Sequence, residues 1–258
     1  MKSRYTLYER RYRYRESMLK LRSDNLTAIE NGLKTFILRR MELEVYLALN
    51  PWVKYTLEPI RLDSGMPEIV RRMVSASSIA EVGPIASVAG VLADIVCEAM
   101  LESGAKVAIV EDGGEASIAS NIPVSIEAYV GSDRVKYIVF EVDPWDTPLG
   151  IASSSARHGG GINFGIADLA TVFAENAALA DAAATKLCNM VDMESKDRVE
   201  TALKDTYRIP GVKGCLVVVG GYIGYAGWHP RILEISIREA TNPTVSMNRS
   251  SEQFSLDV

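Results

Sequence analysis

Three segments of this 258-residue chain carry residue types suited to a small anionic ligand. The first is Glu111-Asp112-Gly113-Gly114-Glu115, where two glycines let backbone N–H groups approach a ligand between flanking carboxylates. The same residues also suit a plain hairpin turn with its acids in solvent. The second is Ser153-Ser154-Ser155-Ala156-Arg157-His158-Gly159-Gly160-Gly161. Its hydroxyls, N–H groups and Arg157 would hold a phosphate, unless it is simply a surface loop. The third is Asp181 with Thr185, four residues apart and so on one helix face, which Asn189 extends by a turn. The alanines around Asp181 imply a packed helix, and a buried carboxylate needs a cation or strong donors. A hard metal such as Mg²⁺ accepts this donor type together with phosphate oxygens; a neighbouring backbone N–H or a basic residue would satisfy Asp181 equally. Arg11, Arg13 and Arg15 form a cationic strand face that would meet an anion or be a solvated edge.

These groups must be positioned by the elements around them. Period-two alternation over 8–16 predicts a strand, with 17–31 as its hairpin partner. Ile37, Met41, Val45 and Leu49 repeat at helical spacing and form an apolar helical stripe. Pro67-Glu68 opens a helix with Ile69, Val70, Met73 and Val74 inward. A more apolar helix follows Gly83-Pro84 and stops at Gly104, with Asp94, Glu98 and Glu102 as its wet stripe. Strands are expected at 107–110, 116–119, 124–130, 136–142, 151–155, 167–173, 215–219 and 231–238. Gly220–Gly227 is read as a loop, and the tail after 243 as polar and frayed. Alanine-rich 174–191 and a helix near 195–206 capped by Ser195 complete the set. Hairpin signals point to an α+β fold with a mostly antiparallel sheet and packed helices, built as a single domain over 1–258 whose N-terminal hairpin spans about 5–31.

Composition narrows the function. The chain is 48% hydrophobic and 24% charged with net charge −5, so a nucleic-acid partner is not expected. Cys97, Cys188 and Cys215 form no CxxC pair, which suits a reducing, cytoplasmic setting. The apolar run 84–101 is interrupted by Ser87, Gly90, Asp94 and Glu98 and reads as a buried helix, so no membrane partner is expected. Nucleotide P-loop, GxGxxG, HExxH and GxSxG patterns are missing.

Taken in order, Val82-Gly83-Pro84-Ile85-Ala86-Ser87-Val88-Ala89-Gly90, Glu111–Glu115, Gly150–Ser155 and Ala180-Asp181-Ala182-Ala183-Ala184-Thr185 resemble the ApbE family of flavin transferases. The family patterns in question are "LGGIAKGYAVD", "NLGGD", "ATSG" and "ADALATAL". The run is closer still to an archaeal and bacterial branch with "VGPMAAVAG", "ENGGD" and "ADAAATA". The resemblance spans about residues 5–240. It implies FAD and Mg²⁺ as ligands and a flavoprotein as target. It also implies Asp181 and Thr185 as metal ligands with a carbonyl near Gly83 or Pro84, Gly113, Gly114 and Glu115 as the flavin-contacting turn, and Ser153, Ser154 and Ser155 as the hydroxyl loop.

Departures from the pattern set the expected activity. Ala89 stands where the family lysine would be, Glu111 replaces an asparagine, and Glu115 replaces an aspartate. The expectation is an ApbE-like protein holding a flavin or other anionic ligand with Mg²⁺, with metal-assisted phosphoryl-group transfer or FAD hydrolysis as its chemistry. Asp181 anchors the metal, His158 moves a proton, and Glu111 and Arg157 join the ligand contacts. The alternatives are a binding protein that has lost transfer activity, or an enzyme for an unrelated metabolite. A homo-oligomer is compatible with all three.

Overall fold

The computed structural model describes residues 6–132, 134–157 and 163–237. Its elements are β1 (Tyr8–Tyr14), β2 (Ser17–Ser23), α1 (Leu26–Leu49), α2 (Glu68–Ala80), α3 (Val88–Glu102), β3 (Val107–Asp112), β4 (Glu115–Ser120), β5 (Val124–Tyr129), β6 (Val135–Val142), β7 (Leu149–Ser154), β8 (Leu169–Ala174), α4 (Ala177–Met190), α5 (Lys196–Tyr207), β9 (Val212–Val219), β10 (Tyr222–Gly227) and β11 (Arg231–Ile237). An eight-stranded sheet runs β1-β2-β3-β4-β7-β8-β9-β10, and a three-stranded sheet runs β11-β6-β5. All ladders among the described residues are antiparallel, as the hairpin signals required.

Alternation along the strands builds three layers. Val107 and Ile109 of β3 join a core with Ile126, Ile138 and Phe140 of the small sheet. Ala108 and Val110, one residue out of phase, join α1, α2 and α3 instead. Farther along the large sheet, Val172, Cys215 and Val217 pack on Ala180, Ala183 and Leu187 of α4. The large sheet is therefore covered by helices on one side and by the small sheet on the other.

Helices α3 and α4 are locked together at their ends. The carboxylate of Asp94 on α3 accepts from the first-turn N–H groups of Ala177 (3.0 Å) and Ala178 (2.8 Å) on α4, and from Ser117 Oγ (2.8 Å). The carboxylate of Asp181 on α4 in turn accepts from Gly90 N at the start of α3, at 2.9 Å. Gly90 permits this approach, since a Cβ there would lie 2.2 Å from the carbonyl oxygen of Ala177.

Several expectations change. The hairpin is shorter than 5–31: β2 ends at Ser23, and Asn25 caps α1 through Thr27 N (3.0 Å) and Ala28 N (3.3 Å). The stripe predicted on α1 is present, and its Met41, Val45 and Leu49 are exposed, at 53%, 61% and 77%. The core face of α1 is instead Ala28, Ile29, Gly32, Phe36, Arg40, Leu43 and Leu47. Asp94 is not part of a wet stripe but buried. Part of Gly220–Gly227 is strand β10, and Ser195 occupies the start of α5 without a side-chain capping bond. The apolar stretch Pro84–Glu102 is long enough to cross a membrane, yet α3 packs among α1, α4 and β3.

Candidate functional site

The β3–β4 turn, the end of β7 and one face of α4 line a single cleft of about 1180 Å³. Gly113 and Gly114 form a two-residue hairpin turn, with Asp112 paired to Glu115. Gly113 has φ +74°, and a Cβ there would meet only Glu115 Oε2 at 3.4 Å, so this backbone faces open space. Ser153 N donates to the Gly114 carbonyl at 3.0 Å, which ties the turn to the serine segment. Asp181, Thr185 and Asn189 enter from α4, four residues apart on one face. The 83–89 segment closes the floor.

The serine hydroxyls are already engaged. Ser153 Oγ lies 2.8 Å from Thr171 Oγ1, Ser154 Oγ donates to Asn163 Oδ1 at 3.1 Å, and Ser155 Oγ accepts from Arg157 N at 3.1 Å. Asn189 Oδ1 accepts from Phe164 N at 2.8 Å. The Gly83 carbonyl accepts from Ala86 N at 3.1 Å, which leaves one lone pair for another partner.

Electrostatically the turn end of the cleft is acidic. Burial raises the Asp181 carboxyl to about 8, opposed by the Gly90 N–H and reinforced by the charges of Asp112 and Asp94. Glu115 is also pushed well up, first by burial and then by Asp181 and Asp112. Asp112 is raised by burial; its Oδ1 accepts from Met18 N at 3.0 Å, while Oδ2 is buried with no hydrogen-bond partner. Glu111, by contrast, is held by Lys20 (3.3 Å) and Arg22 (2.7 Å) on the facing strand β2. Its charge is therefore largely offset within the protein.

Two expected ligand groups are placed differently from the rest. Arg157 is turned to the buried Asp168, with Nε 2.8 Å from Oδ1, and is not among the cleft-lining residues. His158 and Gly159–Gly161 lie outside the described residues.

Of the cationic strand face Arg11, Arg13 and Arg15, Arg15 lines the cleft, and two further cations that sequence reasoning missed join it: Arg40 and Lys54. Arg15 sits at positive φ (52°) in the β1–β2 turn and pairs with Glu44 at 3.1 Å. Arg40 is buried on the core face of α1 and pairs with Glu16 and Glu44. A charge in the apolar run Gly32, Phe36, Arg40, Leu43, Leu47 was the available signal. Tyr129 and Phe164, 62% and 64% exposed, are aromatic walls the motif reading did not contain.

Among the described residues no three His, Cys, Asp or Glu side chains gather as a metal-holding group. Any cation here would take mixed oxygen donors: one or two carboxylates, the Thr185 hydroxyl, a carbonyl and ligand oxygens. Mg²⁺ commonly accepts such a set.

Comparisons with known proteins agree on where this chain falls. The family model described as AbpE bacteria matches residues 13–207. A UPF0280 protein of Methanosarcina barkeri is 37% identical over 227 residues, covering 88% of this chain and 89% of its own length. A UPF0280 protein of Methanocella arvoryzae is 38% identical over 206 residues, covering 80% and 83%. The crystal structure of the flavinyl transferase ApbE of Pseudomonas stutzeri aligns with TM-score 0.54 at 11% identity, over 86% of this chain and 94% of that one. The ApbE protein of Thermotoga maritima aligns with TM-score 0.54 at 13% identity, over 84% and 96%. At such identities the structural likeness is one of fold.

Proposed function

Because the chain belongs to the AbpE bacteria family, on the UPF0280 branch of the ApbE-like superfamily, we propose that its cleft binds a flavin or related phosphate-bearing ligand together with Mg²⁺ and supports phosphoryl-group chemistry on it. The observation that carries this reading is the meeting of three distant segments, 113–115, 153–155 and 181–189, around one cavity. Its volume of about 1180 Å³ exceeds the 300–1,000 Å³ usual for drug-sized ligands and suits a dinucleotide.

The residues fit the groups the family implies. Asp112 Oδ2, buried without a partner, and the raised carboxyls of Glu115 and Asp181 make an acidic end that a divalent cation would neutralise. Asp181 and Thr185 would hold the ion, with the Gly83 carbonyl contributing its remaining lone pair. When bound, Mg²⁺ supplies neutralisation of charge on the pyrophosphate oxygens. The Gly113 backbone would present its N–H to the ligand, while the Gly114 N–H serves the Glu115 carboxyl. Arg15, Arg40 and Lys54 would attract its anionic part, in place of the lysine whose position Ala89 occupies. Tyr129 and Phe164 offer faces for a flat ring system. A flavoprotein as acceptor, a cytoplasmic setting and proton transfer by His158 belong to the same reading.

Binding without transfer is the second reading. One observation favours it: Arg157, the guanidinium expected to grip a phosphate, is committed to Asp168. Two measurements separate these readings from each other and from an unrelated substrate. Mass spectrometry of the purified protein should reveal a retained phosphate-bearing molecule, and incubation with FAD and Mg²⁺ should yield FMN if the first reading holds. Retention of FAD without turnover selects the second; retention of an unrelated metabolite overturns both.

A further inference from the structure

Helix α1 carries two apolar faces, and the fold uses only one. Gly32, Phe36, Leu43 and Leu47 enter the core. On the opposite side Leu38 (63% exposed), Met41 (53%), Val45 (61%) and Leu49 (77%) form a continuous stripe, which Trp52 (52%) and Tyr55 (77%) extend into the following turn. Monomeric proteins rarely leave such a contiguous row uncovered.

We propose that this stripe is the interface of a homodimer in which α1 packs antiparallel against α1 of a second copy, with the two-fold axis passing at Val45. The spacing selects this occupant. Leu38, Met41, Val45, Leu49 and Trp52 lie at −7, −4, 0, +4 and +7 from Val45. On α1 itself the pattern is its own mirror under an antiparallel two-fold, so Met41 faces Leu49 while Val45 faces itself, and Leu38 comes to the helix end, beyond which the Pro51–Lys54 turn carries Trp52. A two-fold interface requires this self-complementarity, whereas an unrelated partner does not.

The charges agree. At −3 and +3 stand Glu42 and Ala48, so the carboxylate meets a small neutral residue and keeps its own Arg39 at 3.0 Å. No charged side chain of the stripe faces its own kind across the axis. The area is adequate as well. Two aromatic and four aliphatic side chains, each more than half exposed, present at most roughly 600–750 Å² per copy, the low end of the standard range. A standard stable interface buries about 800 Å² per partner. This inference does not depend on what the cleft binds.

Sedimentation equilibrium of the full chain tests it, and cysteine cross-linking adds a second readout because all three native cysteines are buried. Wild type should have twice the chain mass at micromolar concentration. Val45→Glu should weaken association roughly 30-fold or more, the scale of a hot-spot loss, while its circular dichroism and melting temperature as a monomer stay those of a folded protein. Val45→Cys should oxidise to a covalent dimer, since the two thiols meet on the axis, whereas Leu62→Cys, exposed but off the stripe, should not. A wild-type monomer at all concentrations, a dimer untouched by Val45→Glu, or failure of Val45→Cys to cross-link would each overturn the proposal. So would a monomer that co-floats with phosphatidylglycerol vesicles, which would assign the stripe to a membrane surface.

Discussion

Asp94 and Asp181 perform the same local task where the starts of two helices meet, each accepting an N–H from the first turn of the other's helix. Their surroundings separate them. Asp94 is sealed in the core and receives three donors, two backbone N–H groups and the Ser117 hydroxyl. Asp181 borders the cleft, with Glu115 and Asp112 as like-charged neighbours. A carboxylate with its donors complete stabilises the fold. A carboxylate crowded by its own kind at a cavity wall has interaction capacity left over, and such groups cluster where ligands bind.

The largest effect should come from breaking the sealed member. Asp94→Ala leaves two buried helix N–H groups and a hydroxyl unpaired, and should cost about 3 kcal/mol in urea unfolding. The melting temperature should fall by roughly 6–12 °C. A loss under about 1 kcal/mol would mean that water replaces the carboxylate there, contrary to its burial.

The cleft member should respond to pH with a definite sign. The Asp181 carboxyl is raised from 3.8 to about 8, so the folded chain binds this proton more tightly than the unfolded chain does. Its contribution to stability is therefore fully present below about pH 4 and is lost as pH climbs toward 8. Without Mg²⁺, wild type should lose stability over that window, and Asp181→Asn should flatten the curve. Equal slopes for the two proteins would remove the electrostatic distinction between Asp94 and Asp181.

Mg²⁺ should sharpen the contrast. At about tenfold over its dissociation constant, a native-state ligand raises the melting temperature by roughly 3–6 °C in a chain of this size. Asp181→Ala should abolish that gain. The smallest effect on ligand binding is expected at Arg157→Ala, which removes a half-exposed partner of the buried Asp168. It should cost about 1–3 kcal/mol, since a buried carboxylate oxygen loses its partner, and leave FAD affinity unaltered in fluorescence titration.

Much of this arrangement was legible in the sequence, and the misses have physical causes. Asp112-Gly113-Gly114 announced its hairpin because turn chemistry is local. Ile69, Val70, Met73 and Val74 announced a core face because α2 has only one apolar side. Helix α1 has two, and periodicity reveals a helix without saying which stripe meets the sheet; Met41, Val45 and Leu49 belong to the outer one. Asp94 looked solvated because its i+4 partners Glu98 and Glu102 are charged; its donors lie more than eighty residues away on α4. Glycine suggested a loop at 220–227, yet six of those positions form β10 beside β9. The cleft segments were found through motif order, while Arg15, Arg40 and Lys54 reach it only through tertiary packing.

The most direct test is a fluorescence titration of FAD against wild type and Asp181→Ala, each with and without Mg²⁺. Loss of the anchor and unfavourable charge at the acidic end should each cost on the order of 1 kcal/mol or more. Mg²⁺ should therefore tighten wild-type binding at least about tenfold, and Asp181→Ala should bind equally weakly in both conditions. Binding that ignores both Mg²⁺ and Asp181 would contradict a site built from the β3–β4 turn and α4.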